Sequence, residues 1–71
     1  MSEGTMIHVR FAPDGSVTEI GARPETLSPQ EWFNWLSRNA ADCYKALAGG
    51  RGYFRLPPGD LDRHRDLAAA S

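Results

Sequence analysis

The sequence predicts a two-layer α+β fold, in which a three-stranded antiparallel sheet is covered by one long amphipathic helix. Three observations predict it. Residues 6–20 contain two β-prone runs joined by a turn, residues 27–32 carry a helix start, and residues 51–56 form another β-prone run. The sheet is then a β-hairpin plus one later strand. The element order is β-β-α-β, with a short helix at the C-terminal end.

The hairpin is indicated by a change of pattern along residues 6–20. Residues 6–11 alternate between apolar and polar side chains, the period of a strand with one buried face. The apolar face carries Ile7, Val9 and Phe11, and the polar face carries His8 and Arg10. Residues 12–16 combine Pro, Asp and Gly, each of which favours a turn for a different physical reason. Because residues 17–20 are β-prone again, we expect a hairpin with a loop of three to five residues.

The main helix begins at a capping box. Ser28 is placed to accept a hydrogen bond from an unpaired backbone N–H, and Glu31 is placed to reach back to the Ser28 N–H. Pro29 suits the first helical position, where its missing N–H is not needed. Leu27 and Trp32 occupy the two positions of a hydrophobic staple. Four signals therefore agree on where the helix starts.

An apolar stripe extends the predicted helix from Pro29 to about Ala48. Its members recur every three or four residues. They are Trp32, Leu36, Ala40, Cys43 and Leu47. The glycine pair at residues 49–50 is interpreted as the helix stop. Asn39 favours helix ends and turns, so a break near Asn39 into two shorter helices is the alternative. We prefer one helix because the stripe crosses Asn39 without a change of phase.

Residues 51–56 predict a third strand, which two prolines and a glycine end at residues 57–59. This strand must pair with one edge of the hairpin, and the remaining open edge invites pairing with another chain. Asp60 is placed to cap a short, thinly apolar helix over residues 61–70. Residues 1–5 are small and polar, so we expect a disordered N-terminus, with residues 6–71 as a single small domain.

Composition narrows the classes of function. A chain of 71 residues supports one small core, and a net charge of −1 gives no expectation of nucleic-acid or membrane binding. Cys43 is the only cysteine, which excludes an intrachain disulfide and a Cys-based zinc site. No apolar run is long enough to span a membrane, and no signal peptide is recognisable. We therefore expect a cytoplasmic protein that does not bind membranes.

No catalytic or cofactor motif is found in the sequence. Nucleophile-elbow, P-loop and zinc-protease patterns are all missing. His8 and His64 lie far apart in the chain, and a metal site needs three or four ligands. The prediction is a non-enzymatic protein with no cofactor and no metal.

The densest aromatic cluster predicts a partner-binding surface. Trp32, Phe33 and Trp35 fall within four residues, and all three cannot lie at the centre of so small a core. A partly exposed Trp is a typical interface anchor. The leading prediction is therefore a small non-catalytic protein–protein interaction module that uses these residues, the open sheet edge, or both. Self-association into a homodimer is one form of it.

The alternative prediction is a nucleic-acid-binding regulator. Residues 51–55 resemble the opening of the RNA-recognition signature, basic residue, glycine, aromatic residue, at about three positions. The companion motif is absent. An exposed Tyr53 on a strand, flanked by Arg51 and Arg55, can stack a base and hold phosphate. His8 and Arg10 on the first strand would share that face. The overall net charge argues against strong non-specific binding.

Overall fold

The structure, a computed structural model, describes residues 4–70 and contains four strands and two helices. The elements are β1 Thr5–Phe11, β2 Val17–Ile20, α1 Pro29–Asn39, a 3₁₀ turn Ala41–Cys43, β3 Tyr44–Leu47, β4 Arg51–Leu56 and α2 Asp60–Ala70. The strands form one antiparallel sheet in the order β2-β1-β4-β3. The α+β class is confirmed. The predicted three strands and one long helix are wrong in detail.

The ends of the chain lie partly outside the described residues. Of the segment predicted to be disordered, residues 1–3 are not described, and β1 begins at Thr5. At the other end of the predicted domain, residue 71 also lies outside the described part.

The first hairpin forms where the alternating pattern predicts it. Val9 pairs with Ile20, and the register shifts between Arg10 and Phe11. In the connecting turn, the Asp14 Oδ1 atom accepts hydrogen bonds from the Ser16 hydroxyl at 2.7 Å and the Ser16 N–H at 2.9 Å. These two bonds, the hydroxyl foremost, hold the pKa of the Asp14 carboxyl below its ordinary value.

The start of α1 confirms the predicted capping box. The Ser28 Oγ atom accepts from the Glu31 N–H at 3.2 Å, and the Ser28 N–H donates to Glu31 Oε1 at 2.8 Å. Both bonds satisfy backbone groups that a helix start leaves unpaired. The helix that begins at this cap buries Trp32 and Leu36 fully in the core.

The end of α1 corrects the prediction of a single helix to Ala48. The helix ends at Asn39. Ala40 leaves the helical region with φ −141° and ψ 38°, while its N–H still donates to the Leu36 carbonyl at 2.7 Å. The Asn39 side chain donates back to the Trp35 carbonyl, four residues earlier, at 2.9 Å. The break near Asn39 therefore occurs, but the second helix of that alternative does not form, because a 3₁₀ turn and a strand follow it.

Residues 44–56 form a second hairpin in place of the predicted helix end. Tyr44 pairs with Phe54, and Leu47 pairs with Arg51. Gly49 and Gly50 in the connecting loop have φ of +77° and +71°, a conformation that favours glycine. The glycine pair is thus the turn of a hairpin and not the stop of a helix.

The core lies between one face of the sheet, the inner face, and both helices. Its largest fully buried side chains are Trp32, Phe54, Ile7, Leu36, Leu56 and Val9. Helix α2 reaches this core through Ala68, and His64 is buried nearby on the same helix. Because both helices pack on the inner face, the opposite face of the sheet is left to solvent.

Candidate nucleic-acid interface

The outer face of the sheet consists of the side chains that point away from both helices. These are Met6, His8 and Arg10 on β1, Glu19 on β2, Lys45 and Leu47 on β3, and Arg51, Tyr53 and Arg55 on β4. All of them are exposed except Tyr53, which is half-buried. The alternation of each strand produces this face, because successive side chains along a strand point to opposite faces of the sheet.

Tyr53 lies at the centre of the outer face. Its direct cross-strand neighbours are His8 on β1 and Lys45 on β3. Along β4, Arg51 and Arg55 are each two residues away on the same face, a separation of about 6.6 Å. The Tyr53 ring is therefore bordered by a cationic side chain on three sides and by an imidazole on the fourth.

The His8 and Tyr53 rings form a tilted aromatic pair. Their centroids are 6.4 Å apart and their planes meet at 53°. Both residues have surface that solvent reaches, since His8 is exposed and Tyr53 is half-buried. A planar ligand has two adjacent surfaces on which to stack.

Positive charge is concentrated on the outer face. Half of the eight Lys and Arg residues of the chain lie there, namely Arg10, Lys45, Arg51 and Arg55. Within residues 4–70, Glu19 is the one carboxylate on this face. Its Oε1 atom lies 3.9 Å from Arg10 Nε, and both side chains are strongly exposed. Such an exposed pair contributes little to stability, and the four cations still outnumber this one carboxylate.

Arg10 and Arg51 face each other across the β1–β4 ladder. Two like charges directly opposite on one face of a sheet are unfavourable. An anion placed between them would replace this repulsion with two attractive contacts. Beside Arg10, an open depression of about 510 Å³ runs along β1 and is also lined by Met6, His8 and Glu19.

The predicted partner-binding aromatic residues lie on the other side of the molecule, in three different environments. Trp32 is fully buried, and its Nε1–H donates to the Gly21 carbonyl at 3.0 Å. Phe33 is half-buried and packs edge-on against Phe11 at 5.3 Å. Trp35 is half-buried beside a groove of about 250 Å³ between the helices. A protein partner at this cluster stays a prediction, in which Trp35 is the ring best placed for contact.

Neither a metal site nor a membrane span is found in the part of the chain that the structure describes. No group of three His, Cys, Asp or Glu side chains is close enough to hold an ion across residues 4–70. His8 lies on the outer face, whereas His64 is buried with α2. No helix within the described range has the length and apolar character to cross a membrane.

Sequence reasoning located most of the outer face and missed its β3 part. His8, Arg10, Arg51, Tyr53 and Arg55 lie on one face as anticipated. Lys45 was missed because residues 44–47 were assigned to the helix. The signal that would have found it is the glycine-containing loop between two short runs, which is typical of a hairpin.

Comparison of the chain with protein-family models, with curated proteins and with solved structures finds no match.

Proposed function

We propose that this chain is a non-catalytic module that binds single-stranded nucleic acid on its outer sheet face. The observation that carries the proposal is the position of Tyr53, a partly accessible ring between His8, Lys45, Arg51 and Arg55. In such a site one base stacks on the ring while the cations hold the phosphates on either side of it.

The segregation of charge supports an anionic ligand in spite of the net charge of −1. The carboxylates described elsewhere lie on turns, on the 3₁₀ segment and on the helices, away from the outer face. They are Asp14, Glu25, Glu31, Asp42, Asp60, Asp62 and Asp66. The net charge of the whole chain thus understates the positive potential over β1, β4 and β3.

The stacking surface favours single strands over duplexes. A base can lie on Tyr53 only when its own faces are free, which is the case in single strands, loops and ends. A four-stranded sheet face also presents no helix or isolated two-stranded ribbon for a major groove to accept. We therefore expect little sequence preference and a strong dependence on salt.

A titration of fluorescently labelled single-stranded RNA and DNA with the full chain tests the proposal. Binding is expected at low salt. If Arg10, Lys45, Arg51 and Arg55 each neutralise one phosphate, log K against log salt has a slope of about −3. Tyr53→Ala should weaken binding by about tenfold, since stacking contributes about 1–3 kcal/mol per base.

The matched control is Arg65→Ala on α2, compared with Arg55→Ala on the outer face. Both residues are exposed, and both substitutions remove one positive charge. Arg55→Ala should weaken binding and reduce the salt slope by about one, and Arg65→Ala should do neither. Equal effects of the two variants, or no binding at low salt, would refute the proposal.

A further inference from the structure

The two edges of the sheet differ in how far they are protected from pairing with another strand. At the β2 edge, the Val17 N–H donates to the Gln30 Oε1 atom of α1 at 2.9 Å. A side chain thus occupies a backbone donor that an incoming strand would need. The register shift between Arg10 and Phe11 also makes this end of the sheet irregular. Both features are devices that protect an edge from pairing.

The β3 edge shows neither a side-chain hydrogen bond of this kind nor a register shift in the described part of the chain. Strand β3 is the last in the sheet order and pairs with β4 on one side. Lys45, Ala46 and Leu47 are all exposed, and Leu47 exposes 45% of its surface. Strand β3 carries two common forms of edge protection, a lysine and a length of four residues. It also exposes the apolar Leu47, which gives an incoming strand a side chain to pack against.

We propose that β3 pairs antiparallel with β3 of a second copy of this chain. A strand edge supplies both donors and acceptors, so that two identical edges complement each other about a two-fold axis. A second copy is favoured over an unrelated strand because the side chains of β3 also complement themselves in one register.

The register follows from which side chains share a face. In an antiparallel pair, opposed residues lie on the same face, so Lys45 can oppose either Lys45 or Leu47 of the second copy. The first choice places like charges together. The second places the Lys45 stem over the apolar Leu47 side chain and leaves the ammonium in solvent. Ala46 then opposes Ala46 of the second copy on the inner face, where a small side chain fits at the axis.

Pairing in this register makes one eight-stranded sheet with a continuous outer face. The two Tyr53 sites then lie on the same side of one surface. The pairing does not depend on the proposed function. If that function holds, an anionic strand spanning both sites offsets the repulsion between the two basic faces and promotes the dimer.

Sedimentation equilibrium over a wide concentration series, at moderate salt and without nucleic acid, tests the pairing. We expect a reversible monomer–dimer equilibrium. Leu47→Lys should raise the dimer dissociation constant by about tenfold, since it creates two symmetric like-charge pairs with Lys45. Leu47→Glu should lower that constant, because it creates two opposite-charge pairs. Failure to fold cannot mimic this second result.

The register is tested by adding Lys45→Glu to Leu47→Lys, which should restore dimerisation. Thr18→Lys is the matched control on the β2 edge, where Thr18 is also exposed, and it should leave the equilibrium unchanged. A strict monomer at the highest concentration overturns the proposal. So does a dimer that responds to Thr18→Lys, or one that the double substitution fails to restore.

Discussion

The ring of Tyr44 lies directly on the backbone of Gly52, its diagonal neighbour across the β3–β4 ladder. A Cβ atom placed on Gly52 would meet Tyr44 Oη at 2.5 Å and two ring carbons at 2.9 Å. The ring cannot easily move away, because it packs 5.0 Å from the Phe54 ring and 5.9 Å from the Phe33 ring. Gly52 is therefore required for packing and not for a special backbone angle.

Gly52→Ala should lower the free energy of unfolding by about 1–3 kcal/mol, the range for overpacking of a core. Urea unfolding measures it. Gly21→Ala is the matched control, since its nearest contacts would be 3.8 Å away. In a Tyr44→Ala background the cost of Gly52→Ala should largely disappear. An equal cost in both backgrounds would show that the ring is not the reason.

Residues 40–47 explain why apolar spacing alone did not predict the second hairpin. Ala40, Cys43 and Leu47 continue the helical spacing of α1, while the four-residue strand has only Tyr44 and Ala46 facing inward. Two inward positions are too few to distinguish a strand from a helix. Residues 44–47 form a strand through their pairing with β4, which depends on tertiary structure.

Elements with strong local signals were predictable. The capping box at Ser28 depends on neighbouring residues alone, and the long alternation of β1 fixes the sides of His8 and Arg10. Antiparallel pairing then aligns those side chains with the outward residues of β4. By contrast, the full burial of Trp32 depends on how α1 packs on the sheet, and the partial burial of Trp35 depends on how α1 packs beside α2. Local sequence does not determine that packing.

The two tryptophans should respond differently to substitution by phenylalanine. Trp32→Phe removes the partly buried hydrogen bond to the Gly21 carbonyl and leaves a void in the core. We therefore expect the free energy of unfolding to fall by about 2–4 kcal/mol. Trp35 Nε1 is buried without a hydrogen-bond partner among the described residues. Trp35→Phe removes this unpaired donor, and the resulting gain offsets the packing lost with the smaller ring. The free energy of unfolding should therefore change by less than about 1 kcal/mol.

Each variant keeps one tryptophan, so that intrinsic fluorescence during urea unfolding reports both transitions. Equal destabilisation by the two substitutions would contradict the assigned hydrogen bond.

Ala22 has a positive φ of 57°, which is unfavourable for a residue with a Cβ atom. Ala22→Gly should therefore raise the free energy of unfolding by about 0.5–1 kcal/mol, after the greater chain entropy of glycine is deducted. Arg65→Gly in the middle of α2 is the control of opposite sign. It should lower the free energy of unfolding by about 1 kcal/mol, because Arg65 is exposed in the interior of a helix. Thermal unfolding of the three proteins provides the comparison, and a loss of stability in Ala22→Gly would refute the assigned conformation.

Arg51 should show opposite effects on stability and on binding. It faces Arg10 across the β1–β4 ladder, so Arg51→Gln removes a like-charge pair and should raise the free energy of unfolding by about 0.2–1 kcal/mol at low salt. The gain should shrink as salt is added, because both charges are exposed and screened.

In the same variant, affinity for single-stranded nucleic acid should fall and the salt slope should lose about one unit. Arg65→Gln on α2 is the control for loss of an exposed positive charge. A substitution that stabilises the fold while weakening the complex indicates that the arginine pair serves ligand binding. If Arg51→Gln instead lowers stability and leaves binding intact, the pair is a structural feature of the sheet and the proposed interface is wrong at this position.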